Sequence, residues 1–118
     1  MVPISDQTMA AIEYAMDALN TRAEVTANNV ANSEVPGFKA SRVSFEDQLR
    51  RALAGDRVER IQDPDIAGTG APGDAIGNNV SLENEVVEMM QTNLLQQAMV
   101  EAFNFKAGML RSAIGRTS

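Results

Sequence analysis

The sequence predicts an all-α protein in which long N- and C-terminal helices flank an irregular Gly/Pro-rich middle segment. Apolar residues recur at alternating steps of three and four in both terminal regions, which is the spacing of one helix face. Four of the eight glycines and two of the four prolines lie together in residues 61–80. Aromatic residues make up only 4% of the chain while Met occurs seven times, which favours packing by flexible aliphatic side chains.

Residues 1–32 are predicted to form the N-terminal helix. No Gly interrupts them, and the only Pro is Pro3. Their apolar positions form a heptad seam in which Thr26 is the one polar member. The seam consists of Met9, Ile12, Met16, Leu19, Ala23 and Val30. The polar run that ends at Ser33, followed by Pro36 and Gly37, is expected to stop the helix.

Residues 81–118 are predicted to form the C-terminal helix, with Ser81 as its N-cap. Acidic residues lie in its first half and basic residues in its second half, which matches the helix dipole. Its seam is interrupted by Asn93 and Gln96. The apolar members of this seam are Leu82, Val86, Met89, Val100, Phe103, Ala107, Leu110 and Ile114.

A second apolar seam runs beside the first on the C-terminal helix. It consists of Val87, Met90, Leu94, Ala98, Phe105 and Met109. One partner helix buries one seam, so two seams on one helix indicate more than one neighbour. The composition therefore predicts a subunit of an assembly, because two long helices and one short segment cannot cover both apolar faces.

The middle of the chain divides into two predicted parts. Residues 33–60 contain a turn at Pro36-Gly37 and a short amphipathic segment, in which Phe45, Leu49 and Leu53 are spaced for a helix ending near Gly55. Residues 61–80 are expected to form a flexible Gly/Pro-rich loop.

The composition disfavours several functional classes. The chain has no His and no Cys, which removes the usual zinc ligands, thiol nucleophiles and the commonest general base. A net charge of −6 disfavours nucleic-acid binding. Asp63, Asp65 and Asp74 match an EF-hand loop only in part, so a polar loop is preferred to a calcium site. We expect no catalytic residues, no cofactor and no metal.

Neither a membrane span nor a secretory signal is expected. No stretch approaches the roughly 20 apolar residues that a transmembrane helix needs. The N-terminus has neither the basic region nor the apolar core of a cleavable signal peptide.

One run is more specific than an ordinary helix end. Three Asn side chains can satisfy backbone groups where a helix frays, and a Pro-Gly turn, an aromatic residue and a base follow them. The run consists of Ala27, Asn28, Asn29, Val30, Ala31 and Asn32, followed by Pro36, Gly37, Phe38 and Lys39. It resembles the N-terminal signature of bacterial flagellar rod, hook and hook-associated proteins, with Val35 where that signature has Thr.

Three further segments resemble the proximal rod proteins within that group: residues 41–49, residues 77–85 and residues 109–115. Gln96 departs from the pattern, because a Tyr is usual there. An alternative is another small rod subunit of the FlgC type, although residues 95–104 lack the Tyr-Gln-Ala-Asn pattern expected of it. A more remote alternative is a coiled-coil adaptor or secretion chaperone.

The resemblance implies a structural subunit of the proximal rod in the flagellar basal body. It implies export through the flagellar type III apparatus without a cleaved signal, and folding on assembly in the periplasmic rod. The two long helices would pair there as an antiparallel coiled coil, forming part of the drive shaft and export channel. The implied partners are copies of the chain and other rod, membrane-ring and export-gate proteins.

Overall fold

The computed structural model describes residues 4–55, 57–58 and 61–117, and the side chains of residues 7–55, 57–58 and 61–115. The ends of the predicted terminal helices at residues 1–3 and 118, and residues 56, 59 and 60 of the predicted middle segment, lie outside this part of the chain. The described elements are α1 (Ile4–Ala31), β1 (Ser41–Ser44), α2 (Glu46–Ala54), β2 (Asp65–Gly68) and α3 (Leu82–Thr117). The molecule is elongated, with extents of 67 × 25 × 14 Å.

The chain is mostly helical, with long N- and C-terminal helices as predicted. The side chain of Ser81 caps α3, since its Oγ accepts a hydrogen bond from the Asn84 N–H at 3.4 Å. Helix α2 ends at Gly55, whose N–H bonds to the Arg51 carbonyl. None of the described helices is long and apolar enough to cross a membrane.

Helices α1 and α3 pack along each other in antiparallel directions. Near the C-terminal end of α1, Asn29 bonds to Glu85 at the beginning of α3. Further along α3, Gln96 donates to Asn20 at 3.0 Å. Partners on α1 thus move toward its N-terminus as the chain advances along α3, which defines the antiparallel direction.

The hydrophobic core is small and lies between α1, α2 and the residues next to β1. Phe45, immediately before α2, is buried against Ala18 and Leu19 of α1. The ring of Tyr14 meets that of Phe45 edge-on, with centroids 6.1 Å apart. Met99 of α3 contributes to the same cluster. A second cluster, Ala11, Ala52 and Val58, anchors the end of α2 on α1.

The all-helical prediction missed a two-stranded antiparallel sheet. β1 pairs with β2 so that Ser41 lies opposite Gly68 and Ser44 opposite Asp65. All four residues of β2 are exposed, and Ile66 is its one large apolar residue. A strand without a buried face has no alternation of apolar and polar residues, so nothing in residues 61–80 indicated it.

Candidate junction and assembly surfaces

Asn29 joins α1 to β1 through the backbone of one residue. Its Nδ2 donates to the Ser41 carbonyl at 2.9 Å, and its Oδ1 accepts from the Ser41 N–H at 3.1 Å. The Asn29 side chain is 1% exposed, so it satisfies backbone groups that water would not reach easily. The Asn29 amide therefore pairs with both backbone groups of Ser41 at the outer edge of β1, as the backbone of a neighbouring strand would.

The same amide also contacts the buried carboxylate of Glu85, which pairs with Arg42. Nδ2 of Asn29 lies 3.2 Å and 3.3 Å from the two carboxylate oxygens of Glu85, which is 1% exposed. Arg42 of β1 pairs with this carboxylate at 2.8 Å. The hydrogen bond to Glu85 raises the pKa of Arg42, outweighing the burial that lowers it. A buried carboxylate is tolerated here because both a cation and an amide donor reach it.

Arg22 forms the second half of this polar junction. Its Nη2 donates to the Val43 carbonyl at 2.8 Å and to Glu46 at 2.7 Å. The guanidinium also lies 4.7 Å from the centre of the Phe45 ring. Burial raises the pKa of Glu46, but hydrogen bonds from Arg22 and the Phe45 N–H outweigh it, and the net pKa is lowered.

The Pro-Gly turn of the signature is held by the segment that leads into α3. Nδ2 of Asn78 donates to the Asn32 and Val35 carbonyls at 2.8 Å each. The Gly37 N–H donates to the Ile76 carbonyl at 2.8 Å. Two of the regions that resemble flagellar rod proteins, residues 27–39 and 77–85, therefore contact each other.

The backbone conformation of this turn favours Gly at position 77. Its φ is +80°, which L side chains rarely adopt, whereas a Cβ built there would make only an ordinary contact, 3.5 Å from the Gly37 Cα. Asp74 closes the turn, because its Oδ1 accepts from the Ile76 and Asn78 N–H groups at 3.0 Å each. The carboxylate considered above for a calcium loop therefore serves an Asx turn in this structure.

The structure places the signature residues in different environments. Asn29 is buried and Val30, Asn32 and Phe38 are half-buried. Lys39 donates to the Gly77 carbonyl. The exposed members are Ala27, Asn28, Ala31, Pro36, Gly37 and Lys39.

The predicted seam of α1 lies on its covered side. Ile12 and Leu19 are buried. The other members are half-buried: Met9, Met16, Ala23 and Val30. Thr26, the polar member, is also buried.

The predicted seam of α3 lies mainly in solvent. Phe103 and Ala107 are half-buried. The other apolar members are exposed: Leu82, Val86, Met89, Val100, Leu110 and Ile114. Within one chain these six residues do not pack on α1 as a seam-to-seam pairing requires. The cause is a rotation of α3 by about one residue, roughly 100°, which turns Glu85, Glu88 and Thr92 toward α1 instead.

The second seam of α3 is exposed throughout. Its exposed fractions reach 67% at Leu94 and 72% at Phe105. The remaining members, Val87, Met90, Ala98 and Met109, are exposed as well. Together with the first seam they leave a wide apolar surface on α3, of the kind that marks an interaction site.

No local pattern marks Arg22, Arg42, Asn78 or Glu85 individually as functional residues. Arg42 lies in residues 41–49, and Asn78 and Glu85 lie in residues 77–85, both of which resemble rod proteins, but the position of Glu85 in the first turn of α3 is explained by the helix dipole alone. Its pairing with Arg42 depends on the β1–α3 contact, which no local pattern reports. In the described part of the chain, no group of three His, Cys, Asp or Glu side chains could hold a metal ion.

An elongated pair of helices that leaves wide apolar faces on its surface is typical of a structural subunit that associates with others. Comparison with known proteins identifies the class. The family described as "Flagella basal body rod protein" matches residues 12–39. That match includes the Asn-rich run and the Pro-Gly turn.

Named relatives extend the likeness over nearly the whole chain. Flagellar basal body rod protein FlgB of Bacillus subtilis (strain 168) is 31% identical over 121 residues, covering 91% of this chain and 92% of the relative. FlgB of Aeromonas hydrophila is 29% identical over 125 residues, covering 93% and 95%. FlgB of Borrelia hermsii is 28% identical over 115 residues, covering 78% and 85%.

The chain belongs to the FlgB family of flagellar basal body rod proteins. It is a structural subunit of the rod and not an enzyme. Because these relatives are all FlgB proteins, the proximal rod type is favoured over the FlgC-type alternative.

Proposed function

We propose that the chain is exported unfolded through the flagellar type III apparatus and folds as it joins the proximal rod in the periplasm. In the rod it forms part of the drive shaft and of the channel through which later subunits pass. Its neighbours are copies of itself and other rod, membrane-ring and export-gate proteins.

The observation that carries this proposal is the apolar surface of α3. Side chains such as Val86, Leu94 and Phe105 are more than half exposed in the single chain. Each large apolar side chain left in water forgoes about 1.5–3 kcal/mol of burial free energy. Because this burial is gained only when neighbouring subunits bind, the chain completes its folding on assembly.

Both seams of α3 contact neighbouring subunits in this proposal, because the seam of α1 is already covered within the chain. The signature from Ala27 to Lys39 fixes the turn between α1 and β1. Its support is the set of hydrogen bonds from Asn29 and Asn78.

The test combines location with a surface substitution. A tagged copy should be recovered in purified basal bodies. Leu94→Lys, which places a charge on the second seam, should abolish both recovery and swimming. Gln62→Lys is the matched control, since it adds the same charge at an exposed polar position outside α3.

Two results would reject the proposal. One is a tagged wild-type chain that stays in the cytoplasm of swimming cells. The other is a Leu94→Lys variant that swims and assembles like the Gln62→Lys control. A stable dimer that does not join the rod would instead support the adaptor or chaperone alternative.

A further inference from the structure

The first part of helix α3, up to Gln96, packs on α1 through a polar face. The side chains of Glu85 and Thr92 are each 1% exposed at this contact, and Glu88 and Gln96 are half-buried there. The hydroxyl of Thr92 has no hydrogen-bond partner among the described residues. Apolar burial alone would favour packing one of the apolar seams of α3 on α1, yet both seams remain mainly in solvent.

Specific polar contacts must therefore decide which face of α3 meets α1. Glu85 receives the shortest of them, from Arg42 at 2.8 Å, and it also accepts from Asn29. Glu88 lies farther from its cations, 3.7 Å from Arg22 and 3.9 Å from Arg42. Glu85 is thus the α3 side chain that is both fully buried and fully paired.

We propose that Glu85 is a positioning residue that selects the face α3 presents to α1, and so keeps both apolar seams free for other subunits. Turning α3 to either seam would move this carboxylate away from Arg42 and Asn29. That would leave the half-buried guanidinium of Arg42 and the buried amide of Asn29 without this carboxylate, which is destabilising. A single buried polar residue fixes register in coiled coils in a comparable way. The use of the free seams for assembly rests on the proposed function, whereas the choice of face does not.

The absence of Cys from the sequence allows a direct test by crosslinking within one chain. The pair Asn20→Cys with Gln96→Cys reports the observed face, because these two side chains are hydrogen-bonded. The pair Asn20→Cys with Ala98→Cys reports rotation to the second seam, because Ala98 is an exposed member of that seam and lies about 200° around the helix from Gln96. The pair Asn20→Cys with Asn93→Cys reports rotation to the first seam, because Asn93 is an exposed position of that seam. A short bismaleimide applied to purified basal bodies gives an intramolecular product that migrates at the mass of one chain.

Glu85→Leu should lower the ratio of the observed-face product to the rotated-face products by about tenfold or more. Glu83→Leu is the matched control, because it makes the same change at an exposed position two residues away, and it should leave the ratio unchanged. Glu85→Gln keeps an oxygen acceptor for both partners, so its ratio should lie between those of wild type and Glu85→Leu. If Glu85→Leu is not recovered in basal bodies, the Gln variant decides.

The proposal is overturned if the variants at Glu85 keep the wild-type ratio, or if all products disappear together in Glu85→Gln, because the residue would then only stabilise the fold. Failure of the proposed function is distinguishable, because the wild-type chain would be missing from basal bodies. The same ratio would then be measured on the purified chain.

Discussion

Replacing Asn29 with Ala removes a buried side chain that hydrogen-bonds both to β1 and to α3. The Ser41 N–H loses its partner at 3.1 Å, the Ser41 carbonyl loses its donor at 2.9 Å and keeps only Arg42 at 3.4 Å, and the carboxylate of Glu85 loses a donor. Asn29 is 1% exposed, so these groups lie where water does not freely replace the amide.

The magnitude follows from the groups left unpaired. Each buried polar group without a partner costs about 1–3 kcal/mol. Two backbone groups and a share of one carboxylate are affected, and water entering the space left by the side chain offsets part of the loss. We therefore expect the free energy of local opening around β1 to fall by about 3 kcal/mol, which is a large part of the 5–15 kcal/mol typical of a whole domain.

Hydrogen exchange measures this change directly. A loss of about 3 kcal/mol should accelerate exchange of the amides in residues 40–44 roughly a hundredfold, since 1.36 kcal/mol corresponds to a factor of ten. Mass spectrometry of peptides from purified basal bodies gives the rates.

Asn28→Ala is the control for this measurement. Asn28 is the exposed neighbour, and its Oδ1 accepts a hydrogen bond from Asn32 at the surface. Exchange in residues 40–44 should change by less than about threefold in this variant. Equal rates in the Asn29→Ala and Asn28→Ala variants would refute the role given to Asn29.

Three further predictions concern the turn, the ion pairs and the isolated chain. Gly77→Ala should lower the stability of the folded chain by roughly 1–2 kcal/mol, because φ at this position is +80°. Gly108→Ala, in open space within α3, should raise that stability by about 0.5–1 kcal/mol. The urea concentration that halves the helical circular dichroism should therefore fall in the first variant and rise in the second. The pKa of Glu46 is lowered in the folded chain, so ionised Glu46 stabilises the fold above the unfolded pKa of about 4.3, and this stabilisation is lost as the pH falls through the lower folded pKa. Glu46→Gln should remove this part of the acid unfolding transition. An acid titration of helicity that is the same in the variant and the wild type would contradict the prediction. The dilute purified chain should melt broadly and gain helicity with concentration, and a sharp melt independent of concentration would show that the exposed face of α3 needs no partner.

The sequence by itself determined the long helices and the assembling character of the chain. Both follow from local chemistry: apolar residues at helical spacing, Ser81 at a helix start, Gly55 at a helix end, and more apolar faces than one chain can cover. The Asn-rich run was also readable, because its residue types are unusual at a helix end. The FlgB relatives confirm the family that this run indicated.

Only the tertiary structure decided which face of α3 meets α1 and what the signature holds in place. Periodicity ranks faces by their apolar content, and on that ranking the polar face with Glu85 comes last. The contact between α3 and α1 is set instead by Arg42 and Asn29, which lie 43 and 56 residues before Glu85 in the sequence. The sheet is a similar case, since β2 is exposed and gains its order by pairing with β1. Interactions of long sequence separation leave no local pattern, so these features became visible only in the folded chain.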